Sequence, residues 1–263
     1  MLDYDNEAAT YDATRGGVPR AEAAAGAVLG LVPPAARTLL DIGCGTGLVT
    51  ERIAAGRPRL RVFGSDAAHG MARVAGQRVG GVVLADARRL PLPDAAVDAV
   101  TAVWLLHLLR EEGAARAVVA QAARVLRPGG VFVTTVDKDA AHDVGSDIDG
   151  AFAPYLAPSP SDATERIIEY GAAHGLDVAG SAVFRGHGQG RTPLNAARGV
   201  RRGYFVSRLA LSGTDAEQLA QVLTALPGPE HRRADPEYRL LAFRRRQVPG
   251  RGLPERQQSL PHG

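Results

Sequence analysis

The stretch TLLDIGCGTGLVTERIA, residues 38–54, decides the fold class of this chain. An apolar run leads into Asp41, the chain turns through Gly43, Gly45 and Gly47, and the spacing of a helix follows. Glycine permits positive φ angles and close approach of the backbone to a ligand, and the first turn of a helix presents free N–H groups. The stretch therefore predicts a buried strand, a ligand-binding turn and a helix, in that order.

Strand-like and helix-like segments alternate on both sides of this stretch. Apolar runs bounded by turn residues predict strands at 38–43, 60–65, 82–86, 98–104, 131–136, 177–185 and 237–245. Helical spacing predicts helices at 48–55, 67–77, 111–126 and 163–174. This alternation is typical of an α/β fold whose sheet is mainly parallel and wound by right-handed crossovers.

Several segments are expected to lie outside the sheet. Residues 1–36 are expected to form N-terminal cap helices, and a polar, then Pro-rich stretch at about 138–160 is expected to form a lid insertion. The segment at about 186–235 is too long for a hairpin connection and predicts a substrate cap. The core would then span 37–246, and the polar, Pro- and Gly-rich residues 247–263 predict a flexible tail.

Composition limits the classes of function. The formal net charge is only +3, and the basic residues are arginines apart from Lys138, which is typical of a GC-rich coding sequence. The arginines are scattered among acids rather than grouped with aromatic residues, so we expect no nucleic-acid partner. Cys44 is the only cysteine, which excludes an internal disulfide and any multi-cysteine metal site. No apolar run approaches the length of a membrane span and no leader is visible, so we expect a cytoplasmic protein without a membrane partner.

The acids around the glycine turn indicate the kind of ligand. Asp66 follows the second predicted strand, where a carboxylate can accept hydrogen bonds from a ribose diol. A dinucleotide is disfavoured because Leu48 holds the position of the third glycine in the dinucleotide fingerprint. Asp41 would also repel a pyrophosphate, whereas it would favour an ammonium group. The pattern therefore predicts a nucleoside with a cationic end.

Four motifs in order resemble those of one family. LLDIGCGTG, VFGSDAAHGM, ADARRLPLPDAAVDAV and RVLRPGGVFV resemble the motifs of class I S-adenosylmethionine-dependent methyltransferases, of the small-molecule, type 11/25-like branch. The resemblance covers residues 1–136 well. It implies a Rossmann-like, doubly wound sheet of seven strands, mostly parallel with the last strand antiparallel. It also implies S-adenosylmethionine as cofactor and S-adenosylhomocysteine as product.

The resemblance assigns a role to each residue of the cofactor site. The glycine turn with Cys44 would surround the methionine part near Asp41, Asp66 would bind the ribose, and Asp86 with the Ala87 N–H would bind adenine. For Met71 the alternative is helix packing, and for the YDxxR residues Tyr11 and Arg15 it is a solvated helix face. The implied cofactor-binding residues are Tyr11, Arg15, Asp41, Gly43, Cys44, Gly45, Gly47, Asp66, Met71, Asp86, Ala87 and Val103.

His107 is the candidate catalytic residue. In VWLLHLL it follows the fourth predicted strand, at the carboxyl edge of the sheet where ligands bind. A hydroxyl or acidic carbon acceptor must lose a proton, and imidazole is suited to accept it. The alternative is a structural histidine packed against its leucine neighbours. No metal site is expected, although Asp137 and Asp139 leave a Mg²⁺ site open.

These features predict methyl transfer from S-adenosylmethionine to a small-molecule acceptor, a secondary-metabolite intermediate, with O- or C-methylation favoured over N-methylation. TAVWLLH lacks the Asn/Asp-Pro-Pro-aromatic motif of nucleobase amino methylation. Two alternatives remain: a cofactor-bound catalyst of a non-methylating reaction such as a cyclisation, and a non-enzymatic binding protein on the same fold. We expect a monomer or a homodimer.

Overall fold

Seven strands form one sheet in the computed structural model, which describes residues 4–157, 160–206 and 208–247. The sheet has the order β3-β2-β1-β4-β5-β7-β6, and β7 is antiparallel to both of its neighbours. The predicted seven-stranded, mostly parallel sheet with an antiparallel last strand is therefore confirmed. The strands are β1 Thr38–Ile42, β2 Arg61–Asp66, β3 Val82–Leu84, β4 Val97–Ala102, β5 Leu126–Val136, β6 Leu176–Arg185 and β7 Glu237–Arg245.

Ten α-helices accompany the sheet in the described residues. They are α1 Tyr4–Glu7, α2 Tyr11–Thr14, α3 Gly17–Leu31, α4 Leu48–Gly56, α5 His69–Ala75, α6 Ala114–Val125, α7 Asp147–Phe152, α8 Thr164–Ala173, α9 Pro193–Arg201 and α10 Gly213–Ala225. Short 3₁₀ turns occupy Leu106–Leu108, Ala140–His142 and Ala153–Tyr155. None of these helices has the length and apolarity needed to cross a membrane. The tail expected at 247–263 lies, after residue 247, outside the described residues.

Both faces of the sheet are covered, because neighbouring residues of a strand point to opposite sides. Leu39 of β1 packs in one core with Val28 of α3 and Ile53 of α4. Leu40 packs on the other face, in a core that includes Phe132 of β5 and residues of α6 and α8. This two-sided burial explains why β1 is buried at every position, and it leaves the carboxyl edge of the strands free for the loops that carry the site.

A third apolar cluster lies outside the sheet and joins α7, α9 and α10. Its buried members include Ile148 and Phe152 from α7, Val200 from α9 and Leu219 from α10. Capping boxes begin both α7 and α10, with Ser212 and its N3 partner serving α10. The segments expected as a lid insertion and a substrate cap thus pack together as one helical unit. Their assignment as lid and cap stays a prediction.

Candidate active site

The turn between β1 and α4 places backbone, not side chains, at the carboxyl edge of the sheet. Gly43, Gly45 and Gly47 all have positive φ angles, 66°, 57° and 77°. A Cβ added at Gly45 would meet no atom within 4 Å, so that position faces open space. A Cβ at Gly47 would approach Ala75 Cβ to 2.9 Å, so that glycine is required by packing against α5. The turn therefore opens a cavity on one side while it packs tightly on the other.

A cavity of about 450 Å³ lies over this turn. All of the expected cofactor-binding residues except Gly47 line it: Tyr11, Arg15, Asp41, Gly43, Cys44, Gly45, Asp66, Met71, Asp86, Ala87 and Val103. Gly47 instead caps the N-terminus of α4, where it lets α5 pack closely. The structure thus brings together residues that the sequence spreads over about ninety positions, and we call this space the cofactor cavity. The individual roles of its residues remain predictions.

Two carboxylates, the buried Asp41 and the half-buried Asp66, lie at the glycine side of the cofactor cavity. Asp66 accepts hydrogen bonds from the N–H groups of Gly45 at 2.8 Å and Ala68 at 2.9 Å, which fix its orientation. Asp41 accepts from the hydroxyls of Thr50 at 2.6 Å and Thr101 at 2.7 Å. Burial raises the pKa of both groups, to about 6 for Asp41, because desolvation disfavours the charged form more than these hydrogen bonds favour it. This end of the cavity therefore favours a ligand with positive charge.

Asp86, which is expected to bind adenine, pairs with Arg88, a residue to which the sequence analysis gives no role. The Arg88 guanidinium donates to Asp86 at 2.8–3.0 Å and also binds Glu111 at 2.7 Å. These hydrogen bonds lower the pKa of the Asp86 carboxyl, which stays ionised. An adenine amino group would share this carboxylate with Arg88. The i,i+2 spacing of the two residues is the signal that could have revealed the pair.

The N-terminal segment is tied to the glycine turn by a carboxylate that was not predicted to have a role. Asp12 of α2 accepts from Thr46 Oγ1 at 2.6 Å and from Arg78 Nη1 at 2.6 Å. A second contact joins Asp5 Oδ1 to the Gly70 N–H at 2.5 Å. We call these contacts the clasp, and they hold α1 and α2 beside the cofactor cavity.

A second cavity of about 1140 Å³ adjoins the first, and we call it the acceptor cavity. It is lined by the N-terminal segment, by the chain around Lys138 and His142, and by α9 with the loop before it. The residues that line both cavities are Tyr4, Tyr11, Arg15, Gly17, Arg20, Trp104 and Leu108. Two ligands can therefore occupy adjacent spaces that share one wall.

Trp104 and Arg20 form part of this shared wall. The Arg20 guanidinium lies 3.8 Å from the centroid of the Trp104 ring, and Trp104 adopts a positive φ of 57°. That strained backbone is held by a hydrogen bond from the Trp104 N–H to Thr135 Oγ1 at 2.7 Å. Neither residue was predicted, because their packing joins α3 to the end of β4 across distant positions.

His107 lines the acceptor cavity and not the cofactor cavity. The residue is 8% exposed, and its Nδ1 has no hydrogen-bond partner among the described residues. Burial lowers the pKa of the imidazole well below its usual value, and the nearby Lys138 ammonium lowers it further. The ring is therefore neutral at neutral pH and is able to accept a proton. Its role as a base stays a prediction.

The two aspartates that left a metal site open have protein partners. Asp137 accepts from Thr164 Oγ1 at 2.5 Å, and Asp139 pairs with Lys138 at 2.9 Å. Within residues 4–157, 160–206 and 208–247 no group of three or more His, Cys, Asp or Glu side chains is arranged to hold a metal ion.

Comparison with known proteins agrees with this arrangement. Residues 40–134 match the family described as a methyltransferase domain. Residues 40–134 therefore form a methyltransferase domain of the class I S-adenosylmethionine-dependent, type 11 branch. This match contains most of β1, the glycine turn and Asp66, so the predicted family is confirmed on the central part of the segment that carried the resemblance.

Curated relatives match a part of this chain of about one hundred residues. It is 38% identical over 103 residues to a malonyl-acyl-carrier-protein O-methyltransferase of Geobacter sulfurreducens, covering 36% of each chain. It is 36% identical over 101 residues to the ubiquinone/menaquinone biosynthesis C-methyltransferase UbiE of Desulfotalea psychrophila, covering 37% of this chain and 40% of the relative. The matches thus span little more than a third of these curated relatives. Among solved structures, the cyclase SpnF is 20% identical with a TM-score of 0.59, covering 93% of this chain and 94% of its own, which shows the shared fold.

Proposed function

We propose that this methyltransferase moves a methyl group from S-adenosylmethionine to a small-molecule acceptor, at an oxygen or carbon in preference to nitrogen. The observation that carries the proposal is the wall shared by the cofactor cavity and the acceptor cavity, with His107 on the acceptor side. At about 1140 Å³ the acceptor cavity is slightly larger than the usual range of small-molecule sites, about 300–1000 Å³.

The residues present fit the cofactor. The open space beside Gly45 accepts a ligand that a side chain would displace, and the carboxylates of Asp41 and Asp66 favour a cationic one. When bound, S-adenosylmethionine supplies a methyl group on a positively charged sulfur. The resemblance assigns the ribose to Asp66 and the adenine to Asp86.

The protein's own contribution would be alignment, exclusion of water and removal of a proton. Helix α9, held by its packing against α7 and α10, and the clasped N-terminal segment line the acceptor side. His107, neutral and without a partner at Nδ1, would take the proton that a hydroxyl or acidic carbon loses. A neutral amine needs no such base, which supports oxygen or carbon as the methylated atom.

The named relatives differ in acceptor and in methylated atom, so the acceptor is proposed from the cavity and not from them. The place in secondary metabolism rests on the resemblance and on the arginine-rich composition. The test is incubation with S-adenosylmethionine and candidate acceptors, followed by mass detection of a product heavier by one CH₂. A converted acceptor with no added mass would instead favour a non-methylating reaction such as cyclisation. Cofactor binding without any conversion would favour a binding protein.

A further inference from the structure

The lining of the acceptor cavity carries a marked excess of positive charge. Its cationic residues are Arg15, Arg20, Lys138, Arg191, Arg198, Arg202 and Arg232. Glu7 and Asp139 are the only acidic side chains of this described lining, and they pair with Arg15 at 3.5 Å and with Lys138 at 2.9 Å. The remaining cations are not neutralised by acids of the same wall. A cavity of this kind attracts an anionic ligand.

Arg191 stands out among these cations, because its charge is held in apolar surroundings. Its guanidinium lies 4.8 Å from the centroid of the Phe205 ring and 5.7 Å from that of Phe152. The Nη1 atom is buried and has no hydrogen-bond partner among the described residues. Asp139 and Asp149 lie within electrostatic range, but neither forms an ion pair with Arg191 in the part of the chain that the structure describes.

Arg191 is partly buried, and a charged guanidinium with a buried, unused donor atom is unfavourable by itself. Burial, and next the charge of nearby Arg208, lower the pKa of Arg191 to about 10, so the group stays charged at neutral pH. Arg208 is different, since it binds Asp143 and lies 3.9 Å from Asp149. A buried charge without a partner destabilises a fold unless something compensates it. A ligand group of opposite charge would provide that compensation.

The position of Arg191 indicates which ligand would supply this group. Arg191 lines the acceptor cavity but not the cofactor cavity, so its partner would belong to the acceptor. Its carbonyl accepts from the Arg233 N–H at 2.7 Å, and it directly precedes α9, whose N-terminus adds positive potential. A planar guanidinium matches the two oxygens of a carboxylate, and Phe205, which lines the same cavity, suits an apolar body.

We propose that the acceptor carries a carboxylate and that Arg191 binds it. The inference rests on the proposed function in one respect only, the assignment of this cavity to the acceptor. The carboxylate would anchor the acceptor with the rest of its body directed toward the wall shared with the cofactor cavity. Arg198 and Arg202, which are exposed at the same cavity, would attract the anion from solvent.

Binding can be measured without turnover. The protein is first titrated with S-adenosylhomocysteine by calorimetry, and the loaded protein is then titrated with linear and phenyl-substituted carboxylates, with the corresponding amides, and with phenyl phosphate. We expect the carboxylates to bind at least about tenfold more tightly than their amides, because the amide cannot form a charge-assisted pair. Equal binding of carboxylate and amide, or tighter binding of the phosphate, would overturn the proposal. That comparison requires no variant.

Variants then test the residue. Arg191→Gln should weaken carboxylate binding by about 10- to 100-fold and leave amide binding unchanged, and Arg191→Lys should restore part of the loss. Arg201→Gln is the matched control, since Arg201 lies on α9 and pairs with Glu217 at 2.8 Å but does not line the cavity. An Arg191→Gln protein that keeps the carboxylate preference would remove Arg191 from the proposal. Failure to bind S-adenosylhomocysteine would count against the proposed function, whereas its binding without carboxylate preference would refute this inference alone.

Discussion

The clasp around Asp12 predicts a measurable link between the N-terminal segment and cofactor binding. Helices α1 and α2 have four residues each and bury none of them, so apolar packing contributes little to their position. The Asp12 side chain is 25% exposed and that of Arg78 29%, so their ion pair contributes up to about 1 kcal/mol. The hydrogen bond from Thr46 to the carboxylate contributes about 1.5–3 kcal/mol.

Asp12→Asn removes the charge but keeps one acceptor oxygen, so we expect it to weaken the clasp by about 1–2 kcal/mol. If the clasped segment helps to enclose the cofactor, affinity for S-adenosylhomocysteine should fall by about 5- to 30-fold. Calorimetry measures that loss, and hydrogen exchange should show faster exchange in residues 4–16. Asp177→Asn is the matched control, because Asp177 pairs with Arg246 at 2.7 Å on β6 and lines neither cavity.

Unchanged affinity together with unchanged exchange in Asp12→Asn would show that other contacts hold the segment. A lowered melting temperature with equal loss of protection throughout the sheet would also refute the reasoning, because the clasp lies outside the two sheet cores. The expected result is local: exchange rises in the N-terminal segment and around Thr46, while β1, β4 and β5 keep their protection.

Three further results are expected. Asp66→Ala should weaken S-adenosylmethionine binding by about 1.5–3 kcal/mol in calorimetry, and unchanged affinity in a folded variant would exclude the ribose role. His107→Ala should lower kcat by about 10²–10⁴-fold with nearly unchanged cofactor affinity. Burial lowers the pKa of His107, so the rate of the unmutated enzyme should fall only at pH well below 6.5, where the imidazole gains a proton. Activity should survive excess chelator. If chelator abolished the activity and added Mg²⁺ restored it, a metal site at Asp137 and Asp139 would be supported instead.

The fold was predictable from sequence because its signals are local. The two-residue alternation and the flanking turn residues predicted both ends of β7 correctly. The glycine turn predicted the first residue of α4 correctly. The limits of β5 were wrong, since the strand begins at Leu126 directly after α6, with a register shift opposite Val97. The sequence predicts a helix up to residue 126 and a strand only from residue 131, whereas the structure continues the residues between them as part of β5.

The cofactor cavity was predictable for the same reason, since most of its lining residues belong to short motifs at the ends of strands. The clasp was not, because Asp12 lies 34 positions from Thr46 and 66 from Arg78. The acceptor cavity was equally unpredictable. The position of Arg191 depends on the core that α7, α9 and α10 form together. Amphipathic spacing shows that a helix has an apolar face, but it does not identify the partner of that face.

The two cavities favour ligands of opposite charge, which limits the pairs of ligands that can occupy them together. Asp41 and Asp66 have only hydroxyl and backbone N–H partners among the described residues. Burial, and to a smaller extent the charge of Asp66, raises the pKa of Asp41. A pyrophosphate there would add negative charge to two carboxylates, whereas a sulfonium and an ammonium group would relieve them. On the acceptor side of the shared wall, the positive charge of Arg191 favours a ligand group with negative charge. A cationic donor and an anionic acceptor therefore each bind where their charge is compensated, and each would be disfavoured in the other's cavity. Charge, in addition to shape, would then fix which ligand lies on the His107 side of the wall.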